Sequence, residues 1–314
     1  MVTIKDVARD AGVSVGTVSN VLNGGRVSEA RRKLVEASIE KLGYQVNTLA
    51  KGMRMQKTDY VVVILPNLIN PYFALLLDAL ESELSAVGKQ VLLCLSGDDA
   101  EREVAFMDMA KQNKVDGIIG VTYSKVEEER IENMAFVSID RHYKSHIPCV
   151  AGDNWQGGWL AAENLHKRGS TNLLCFMTMS SVDSEVRKRR VGFTEYCMEH
   201  DLSCNSVEMS EKQIVSVYES YGSRKLIHNM LRAYISPSLG EHSIDGIFTS
   251  SDHLATIVRE ELEEMGKRVP EDIQIIGYDG LQFLNQGKPI VSSIAQPVHE
   301  IAKEAVSYVR NSRK

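Results

Sequence analysis

Several features that would place the chain in a membrane or outside the cell are missing from the sequence. No run of about 18 apolar residues occurs, although a membrane-spanning helix requires that length. The opening residues, MVTIKDVARDAG, lack the basic-then-apolar pattern of a secretory signal. The five cysteines form no C-x-x-C pair and lie mostly in or beside apolar runs, which is typical of reduced thiols packed as small hydrophobes. These absences predict a cytoplasmic protein that does not bind membranes.

Patterns that would carry catalysis, a cofactor or a metal ion are also lacking. The sequence contains neither the G-x-x-x-x-G-K-[ST] loop of nucleotide-binding proteins nor the H-E-x-x-H pair of zinc proteases. His142 and His146 are four residues apart, but no cluster of carboxylates or cysteines accompanies them. The stretch DNWQGGW at 153–159 lacks the preceding strand and the glycine spacing of a dinucleotide loop. We therefore expect no catalytic residue, no cofactor and no metal site, and a protein that is not an enzyme.

Charge is distributed unevenly along the chain. Residues 1–57 hold ten lysines and arginines against five acidic residues, a net charge of +5, whereas the rest of the chain holds 26 basic and 37 acidic residues, a net charge of −11. A basic segment on an acidic body predicts that the segment binds a polyanion. Chance variation between solvated faces is the alternative, and charge alone does not decide between them.

Residues 1–46 show the start and stop signals of three short helices. Thr3 with Asp6 can cap the first helix, Ser14 the second and Ser28 the third. Glycines end them, and apolar side chains fall on one side of each: Ile4, Val7 and Ala8, then Val18, Val21 and Leu22, then Leu34, Val35, Ile39 and Leu42. Two short helices joined by a tight turn that contains Gly12 predict a helix-turn-helix domain.

The second helix leaves a slim, uncharged face toward the outside. If Val18, Val21 and Leu22 point inward, the outward side chains are those of Val15, Gly16, Thr17, Ser19 and Asn20. A methyl surface, a bare backbone, two hydroxyls and an amide can contact thymine methyl groups, phosphates and base edges in the DNA major groove. The alternative is a small helix that is merely solvated.

Two long stretches of this region carry a family resemblance. TIKDVARDAGVSVGTVSNVLN and VSEARRKLVEASIEKLGYQVNTLA resemble the amino-terminal signature of the LacI/GalR family of bacterial transcription regulators. The resemblance implies that residues 15, 16 and 20 read bases and that residues 17 and 19 mainly touch phosphates. With the two capping residues included, we expect the DNA contacts of the domain to come from Thr3, Ser14, Val15, Gly16, Thr17, Ser19 and Asn20. Asparagine stands at position 20 where arginine is frequent, which favours adenine over guanine.

Residues 47–57 follow as a short segment. In the LacI/GalR family it is a hinge helix that orders on DNA and inserts a leucine into the minor groove. The matching residues here are Asn47, Leu49, Ala50 and Met53, with Met53 in the wedge position. The helical part, residues 47–54 (NTLAKGMR), has only eight residues and cannot form a stable helix alone, so we expect a flexible linker in the free protein.

From residue 58 onward, short apolar β-rich runs alternate with helical stretches. The predicted strands are residues 60–65, 90–95, 116–121, 135–139, 172–177, 245–250 and 273–278. This alternation predicts parallel sheets covered by helices on both faces. The expected architecture is a small all-α helix-turn-helix head followed by an α/β core of two doubly wound parallel-sheet subdomains, similar to periplasmic binding proteins. The expected boundaries are residues 58–153 with 298–314 for one subdomain and 154–297 for the other.

Polar and aromatic residues follow the predicted strands, where doubly wound sheets bind ligands. Motifs such as NPYF, IDR, RKRRVGF, SDHLA and IIGYD resemble those of the LacI/GalR core. The resemblance implies that a small-molecule effector lies in a cleft lined by Phe73, Asp140, Arg189, Ser251, Asp279 and Gln296. Asn70 and Tyr72, which follow the first predicted strand, are expected to line it with them. Ser251 stands where asparagine is usual, and Gly280 replaces a frequent second aspartate, so the effector itself does not transfer. A sugar and a nucleoside or nucleobase both remain open.

The combined expectation is a DNA-binding transcriptional regulator, and more specifically a repressor controlled by a small molecule. The family dimerises through its core, so we expect a homodimer on a palindromic double-stranded operator. The last residues, AKEAVSYVRNSRK, carry no tetramerising heptads. One alternative is a periplasmic sugar-binding receptor without DNA function. Another is an enzyme in which Asp140 and Asp279 act as an acid/base pair.

Overall fold

A computed structural model describes residues 2–44, 58–125, 131, 134–143, 146–179, 182–210, 221–235, 243–281 and 291–311. The chain divides into two compact units, residues 1–58 and 59–314. The predicted hinge residues Asn47, Leu49, Ala50 and Met53 lie outside the described residues. The two units are described separately.

The first unit contains three helices, α1 (Ile4–Asp10), α2 (Val15–Leu22) and α3 (Glu29–Leu42). Their shared core consists of small and β-branched side chains: Val7, Ala8, Ala11, Val18, Val21 and Val35. Ser14 begins α2, and its Oγ accepts a hydrogen bond of 3.1 Å from the backbone N–H of Thr17. Gly43 ends α3 with a φ of +61°, a left-handed conformation that suits glycine. The helix-turn-helix prediction is confirmed.

Two details of α3 differ from the expectation. Leu34, predicted to be buried, is 55% exposed, because the helix instead turns Val35 and Ser38 toward the core. The Ser38 hydroxyl donates to the carbonyl oxygen of Val7 at 3.3 Å, so a polar residue occupies a place that the apolar pattern did not indicate. Ser28 stands at the N-cap position, but its side chain makes no capping hydrogen bond.

The second unit begins with a five-stranded parallel sheet in the order β2-β1-β3-β4-β5. The strands are β1 (Tyr60–Leu65), β2 (Gln90–Leu95), β3 (Gly117–Gly120), β4 (Phe136–Ile139) and β5 (Cys149–Val150). Helices α4 (Pro71–Ala86) and α5 (Ala100–Gln112) lie between them along the chain. Together with a helix from the end of the chain, described below, these elements form what we call the first lobe.

A second parallel sheet has the order β10-β9-β8-β6-β7 and forms the second lobe. Its strands are β6 (Asn172–Met179), β7 (Ser203–Ser210), β8 (Gly246–Thr249), β9 (Gln274–Asp279) and β10 (Ser292–Ala295). Its helices are α6 (Asn154–Lys167), α7 (Arg187–Glu199), α8 (Tyr221–Ile235) and α9 (Asp252–Glu264). The last described helix, α10 (Val298–Asn311), returns to the core of the first lobe, where Val298, Ile301 and Val306 pack with Leu76 and Leu80.

The pattern of two doubly wound sheets is confirmed, and the seven predicted strands are all present. Three strands were not predicted, namely β5, β7 and β10. Strand β7, SCNSVEMS, is an edge strand, and only Val207 and Met209 of its eight residues are buried. Its sequence therefore lacks the continuous apolar run by which the buried strands were recognised.

Candidate nucleic-acid interface and ligand cleft

Helix α2 presents the predicted reading face to solvent. Val15 is 37% exposed, and Gly16 and Asn20 are also exposed, whereas Val18 and Val21 on the opposite side are buried. The side chain of Asn20 makes no hydrogen bond with the described residues, so its donor and acceptor are open to an external partner. The three predicted base-reading positions thus lie together on one accessible surface.

The predicted phosphate-contacting residues sit closer to the body of the head. Thr17 and Ser19 are half-buried, and both take part in local hydrogen bonds. The hydroxyls of Ser14 and Thr17 are 3.0 Å apart, and the Asn23 amide donates to the carbonyl oxygen of Ser19 at 2.8 Å. Thr3, at the start of α1, donates from Oγ1 to Asp6 at 2.6 Å. These bonds hold the edges of the reading face in place.

Residues 12–16, GVSVG, also match the G-x-S-x-G spacing of a serine-hydrolase elbow. In that elbow the serine joins a strand to a helix. Here Ser14 joins two helices, and its hydroxyl is occupied by Thr17. The structural context therefore does not support a nucleophilic role.

The second unit brings the predicted cleft residues together. One cavity of about 60 Å³ is lined by all eight of them: Asn70, Tyr72, Phe73, Asp140, Arg189, Ser251, Asp279 and Gln296. Five further residues, which the sequence did not single out, complete the lining: Tyr123, Thr178, Ser184, Val186 and Ser250. The lining comes from both lobes and from the ends of their strands.

Two of the lining residues also cap helices. Asn70 Oδ1 accepts a hydrogen bond of 3.1 Å from the N–H of Tyr72 at the start of α4. Ser251 Oγ accepts one of 3.1 Å from the N–H of Leu254 at the start of α9. Asn70 and Ser251 therefore both cap a helix and line the cavity, so the N-termini of α4 and α9 lie at the cavity wall.

Arg189 is the buried cation of the cleft. Its guanidinium lies 3.7 Å from the centroid of the Tyr278 ring, and Nη1 donates to the carbonyl oxygen of Ser250 at 2.6 Å. Nε donates to Oδ1 of Asn154 at 2.6 Å, and Asn154 Nδ2 in turn donates to Asp140 at 3.3 Å. Neither Asn154 nor Tyr278 was predicted as a site residue, because their role depends on elements that meet only in the fold.

Two buried aspartates face this cation from the ends of two strands. Asp140 follows β4 and Asp279 ends β9, and both have left-handed backbone, with φ of +58° and +122°. Such conformations are uncommon for residues other than glycine and cluster at functional sites. Burial raises the pKa of both carboxyl groups, that of Asp279 to about 8, although Arg189 opposes the shift. Asp279 is therefore largely protonated at neutral pH.

Several polar atoms of the cavity lack a partner within the described structure. Gln296 Nε2 donates to Asp279 Oδ1 at 2.8 Å, which leaves Gln296 Oε1 and Asp279 Oδ2 unused. The hydroxyl of Tyr72 is likewise buried and without a hydrogen bond. Buried polar groups are costly to leave unpaired. These atoms supply donors and acceptors for a polar molecule in the cleft.

Glycines in α6 and α7 fix the position of Arg189. A Cβ atom at Gly158 would overlap the carbonyl oxygen of Arg189, and one at Gly192 would overlap the carbonyl oxygen of Trp155. The two helices therefore approach with backbone against backbone. Of the paired glycines in DNWQGGW, Gly158 serves this packing, whereas a Cβ atom at Gly157 would overlap the Tyr278 ring.

Comparisons with known proteins agree with this arrangement. Residues 3–47 match the model of bacterial regulatory proteins of the lacI family, and residues 162–311 match that of the periplasmic binding protein-like domain. The chain is 32% identical to the sucrose operon repressor of Pediococcus pentosaceus over 306 residues, which cover 97% of this chain and 90% of the relative. The chain belongs to the LacI family of bacterial regulatory proteins. It is a DNA-binding transcriptional regulator.

A further relative and two solved structures are also similar to the chain. The ribose operon repressor of Halalkalibacterium halodurans is 32% identical, covering 96% of this chain and 87% of its own length. The lac repressor dimer bound to operator and the anti-inducer ONPF has a similar fold, with a TM-score of 0.80 at 21% identity, covering 99% of this chain and 92% of that structure. A LacI-type regulator from Alkaliphilus metalliredigens QYMF, complexed with D-xylulofuranose, has a TM-score of 0.68 at 25% identity, covering 81% and 90%.

The relatives named here are regulators and not enzymes. In the part of the chain that the structure describes, no three His, Cys, Asp or Glu side chains are placed to bind a metal ion. None of the described helices combines the length and apolar content that crossing a bilayer requires. The five cysteines are free.

The glycine contact in α6 leads to a first prediction. Gly158→Ala should lower the midpoint of thermal unfolding by several degrees, because the methyl group overlaps the backbone of α7 and forces the helices apart. Gly16→Ala is the matched control, since its Cβ would meet only the Ser14 hydroxyl at an ordinary distance of 3.7 Å. Equal midpoints for the two variants would contradict the assigned packing.

The raised pKa of Asp279 leads to a second prediction. A carboxyl group whose pKa is about 8 in the folded state and near 3.8 when unfolded binds a proton more tightly when folded, so its contribution to stability falls as pH rises from about 4 to 8. Asp279→Asn should therefore reduce the loss of thermal stability between pH 5 and pH 8. Part of the loss remains, because burial also raises the pKa of Glu103 to about 7.

Asp272 provides the control for that measurement. Its hydrogen bonds to Arg268 lower its pKa to about 2, so its contribution is lost only at acid pH. Asp272→Asn should leave the difference between the pH 5 and pH 8 melting curves unchanged. The assignment fails if the two asparagine variants behave alike.

Proposed function

We propose that this regulator is a repressor that a small molecule in the cleft controls. A homodimer places two heads in successive major grooves of a palindromic operator, and an effector between the lobes changes the affinity for DNA. The observation that carries the proposal is that one cavity gathers all eight predicted effector residues, with unpaired polar atoms among them. Acting on DNA, the protein works in the cytoplasm.

Operator sequence is read by α2. The exposed amide of Asn20 suits an adenine, which it can bind through two hydrogen bonds. Gly16 contributes bare backbone and Val15 a methyl surface to the same reading face. The proposed phosphate contacts come from Thr17 and Ser19, together with Thr3 and Ser14 at the helix starts. A minor-groove contact by Met53, with Asn47, Leu49 and Ala50 in the same hinge, rests on the sequence resemblance.

The cleft chemistry favours a neutral, polyhydroxylated effector. The single guanidinium of Arg189 faces the carboxyl groups of Asp140 and Asp279, and one ionised carboxylate is enough to balance it, so the cavity offers no excess positive charge for a phosphate. Unpaired atoms of Tyr72, Asp279 and Gln296 can exchange hydrogen bonds with hydroxyl groups, and Phe73 provides an apolar wall. Relatives named for sucrose and ribose operons, and a D-xylulofuranose complex in a similar fold, support a sugar.

Thermal-shift measurements on the full chain test the effector class. D-ribose, sucrose, ribose 5-phosphate, adenosine and guanine serve as probes, because a ligand that binds only the native state raises the unfolding midpoint. We expect a rise with a neutral sugar, and its loss in Arg189→Gln. A rise with ribose 5-phosphate alone would refute the charge argument, and a rise with adenosine or guanine alone would assign the cleft to a nucleoside or nucleobase.

Operator preference gives a prediction for the head. Asn20→Arg should change the preferred base at one position of each half-site from adenine to guanine, as read by selection from a randomised operator library. Glu36→Gln removes one negative charge from the exposed face of α3, so it changes the net charge by the same amount, and it should leave the preferred sequence unchanged. An unchanged preference in Asn20→Arg would contradict the assignment of residue 20.

A further inference from the structure

Residues 182–186, between β6 and α7 of the second lobe, contact the first lobe. Ser184 and Val186 line the cavity, and Glu185 stands between them. The backbone N–H of Glu185 donates to the carbonyl oxygen of Asp140 in the first lobe at 2.8 Å. Residues 184–186 of the second lobe are therefore tied across the cleft at a cavity residue.

The side chain of Glu185 has a partner in each lobe. Its Oε1 lies 2.8 Å from Nε2 of His142, which follows β4 in the first lobe. Its Oε2 lies 2.8 Å from Nζ of Lys188, which belongs to α7 in the second lobe. Only 10% of the Glu185 side chain is exposed, so the carboxylate is held in a fixed position between the two.

The backbone at His142 is anchored in the first lobe through the two neighbouring residues. The preceding residue, Arg141, donates from Nη1 to the carbonyl oxygen of Ser124 at 2.6 Å, and its guanidinium lies 4.3 Å from the ring centroid of Tyr143. The Tyr143 hydroxyl is 2.7 Å from Oγ1 of Thr122. Both neighbours of His142 are thus anchored in the first lobe, while the imidazole itself remains 67% exposed.

We propose that Glu185 and His142 form a latch that keeps residues 184–186 against the first lobe and thereby sets how readily the cleft opens. Neither side chain lines the cavity, so both are positioning residues and act through Ser184, Val186 and Asp140. That the latch matters for regulation rests on the proposed effector site. The latch itself is a property of the protein without ligand.

The latch is a weak interaction, because the His142 side chain is largely exposed to water. A side-chain hydrogen bond or ion pair with one exposed partner changes an equilibrium by roughly twofold to fivefold. An effect of that size is enough to adjust the affinity of a ligand whose binding depends on closure. The backbone bond from Glu185 to Asp140 closes together with it, so opening the cleft at this edge breaks both.

Hydrogen–deuterium exchange on the ligand-free full chain tests the latch. His142→Gln removes the partner in the first lobe, whereas Lys188→Gln removes the partner of the same carboxylate in the second lobe. We expect peptides spanning residues 182–186 to exchange about twofold to fivefold faster in His142→Gln and at the wild-type rate in Lys188→Gln. Glu185→Gln should match His142→Gln and serves as the second variant.

The same comparison can overturn the proposal. Unchanged exchange in His142→Gln and Glu185→Gln, with wild-type unfolding midpoints, would show that no latch exists, and equal acceleration in His142→Gln and Lys188→Gln would show a local effect on the carboxylate alone. The samples contain no ligand, so failure of every sugar probe in the thermal-shift test would count against the effector and not against the latch.

Discussion

The buried guanidinium of Arg189 is the interaction around which the cleft is organised. A cation in so enclosed a place must be compensated, and it is met by the Tyr278 ring, the Ser250 carbonyl and the Asn154 amide, with carboxyl groups of both lobes nearby. Removing any one partner would leave charge unsatisfied inside the core. This requirement explains why residues so distant in sequence are held together before any ligand arrives.

The backbone of Arg189 is constrained as strongly as its side chain. Gly158 and Gly192 let two helices touch without side chains between them, which fixes where the guanidinium begins. The rest of the cavity wall comes from strand ends and from short segments such as residues 184–186. The guanidinium therefore has a fixed position in a wall that otherwise comes from strand ends and short connecting segments.

Much of this structure could be predicted from the sequence, and the failures have physical causes. Strand β1 was predicted to the residue because YVVVIL is apolar throughout and buried on both faces. Strand β7 was not predicted, because an edge strand with one solvent-exposed face needs few apolar residues. The burial of Leu34 was predicted wrongly, because the spacing of apolar residues shows that a helix has an apolar face but not which residues lie at the centre of that face. Tyr278 lay unnoticed in an apolar strand, since only the fold brings Arg189 over its ring.

Asp140, with its left-handed backbone, takes part both in the lining of the cavity and in the contact between the lobes. Its carboxyl group lines the cavity, whereas its carbonyl oxygen receives the N–H of Glu185 from the opposite lobe. A molecule that engages the carboxyl group therefore acts on the residue that also fastens the lobes. Under the proposed function, occupancy and closure meet at this residue, so a ligand need not span the cleft to be sensed by both lobes, and a change in closure alters the apparent affinity for the ligand.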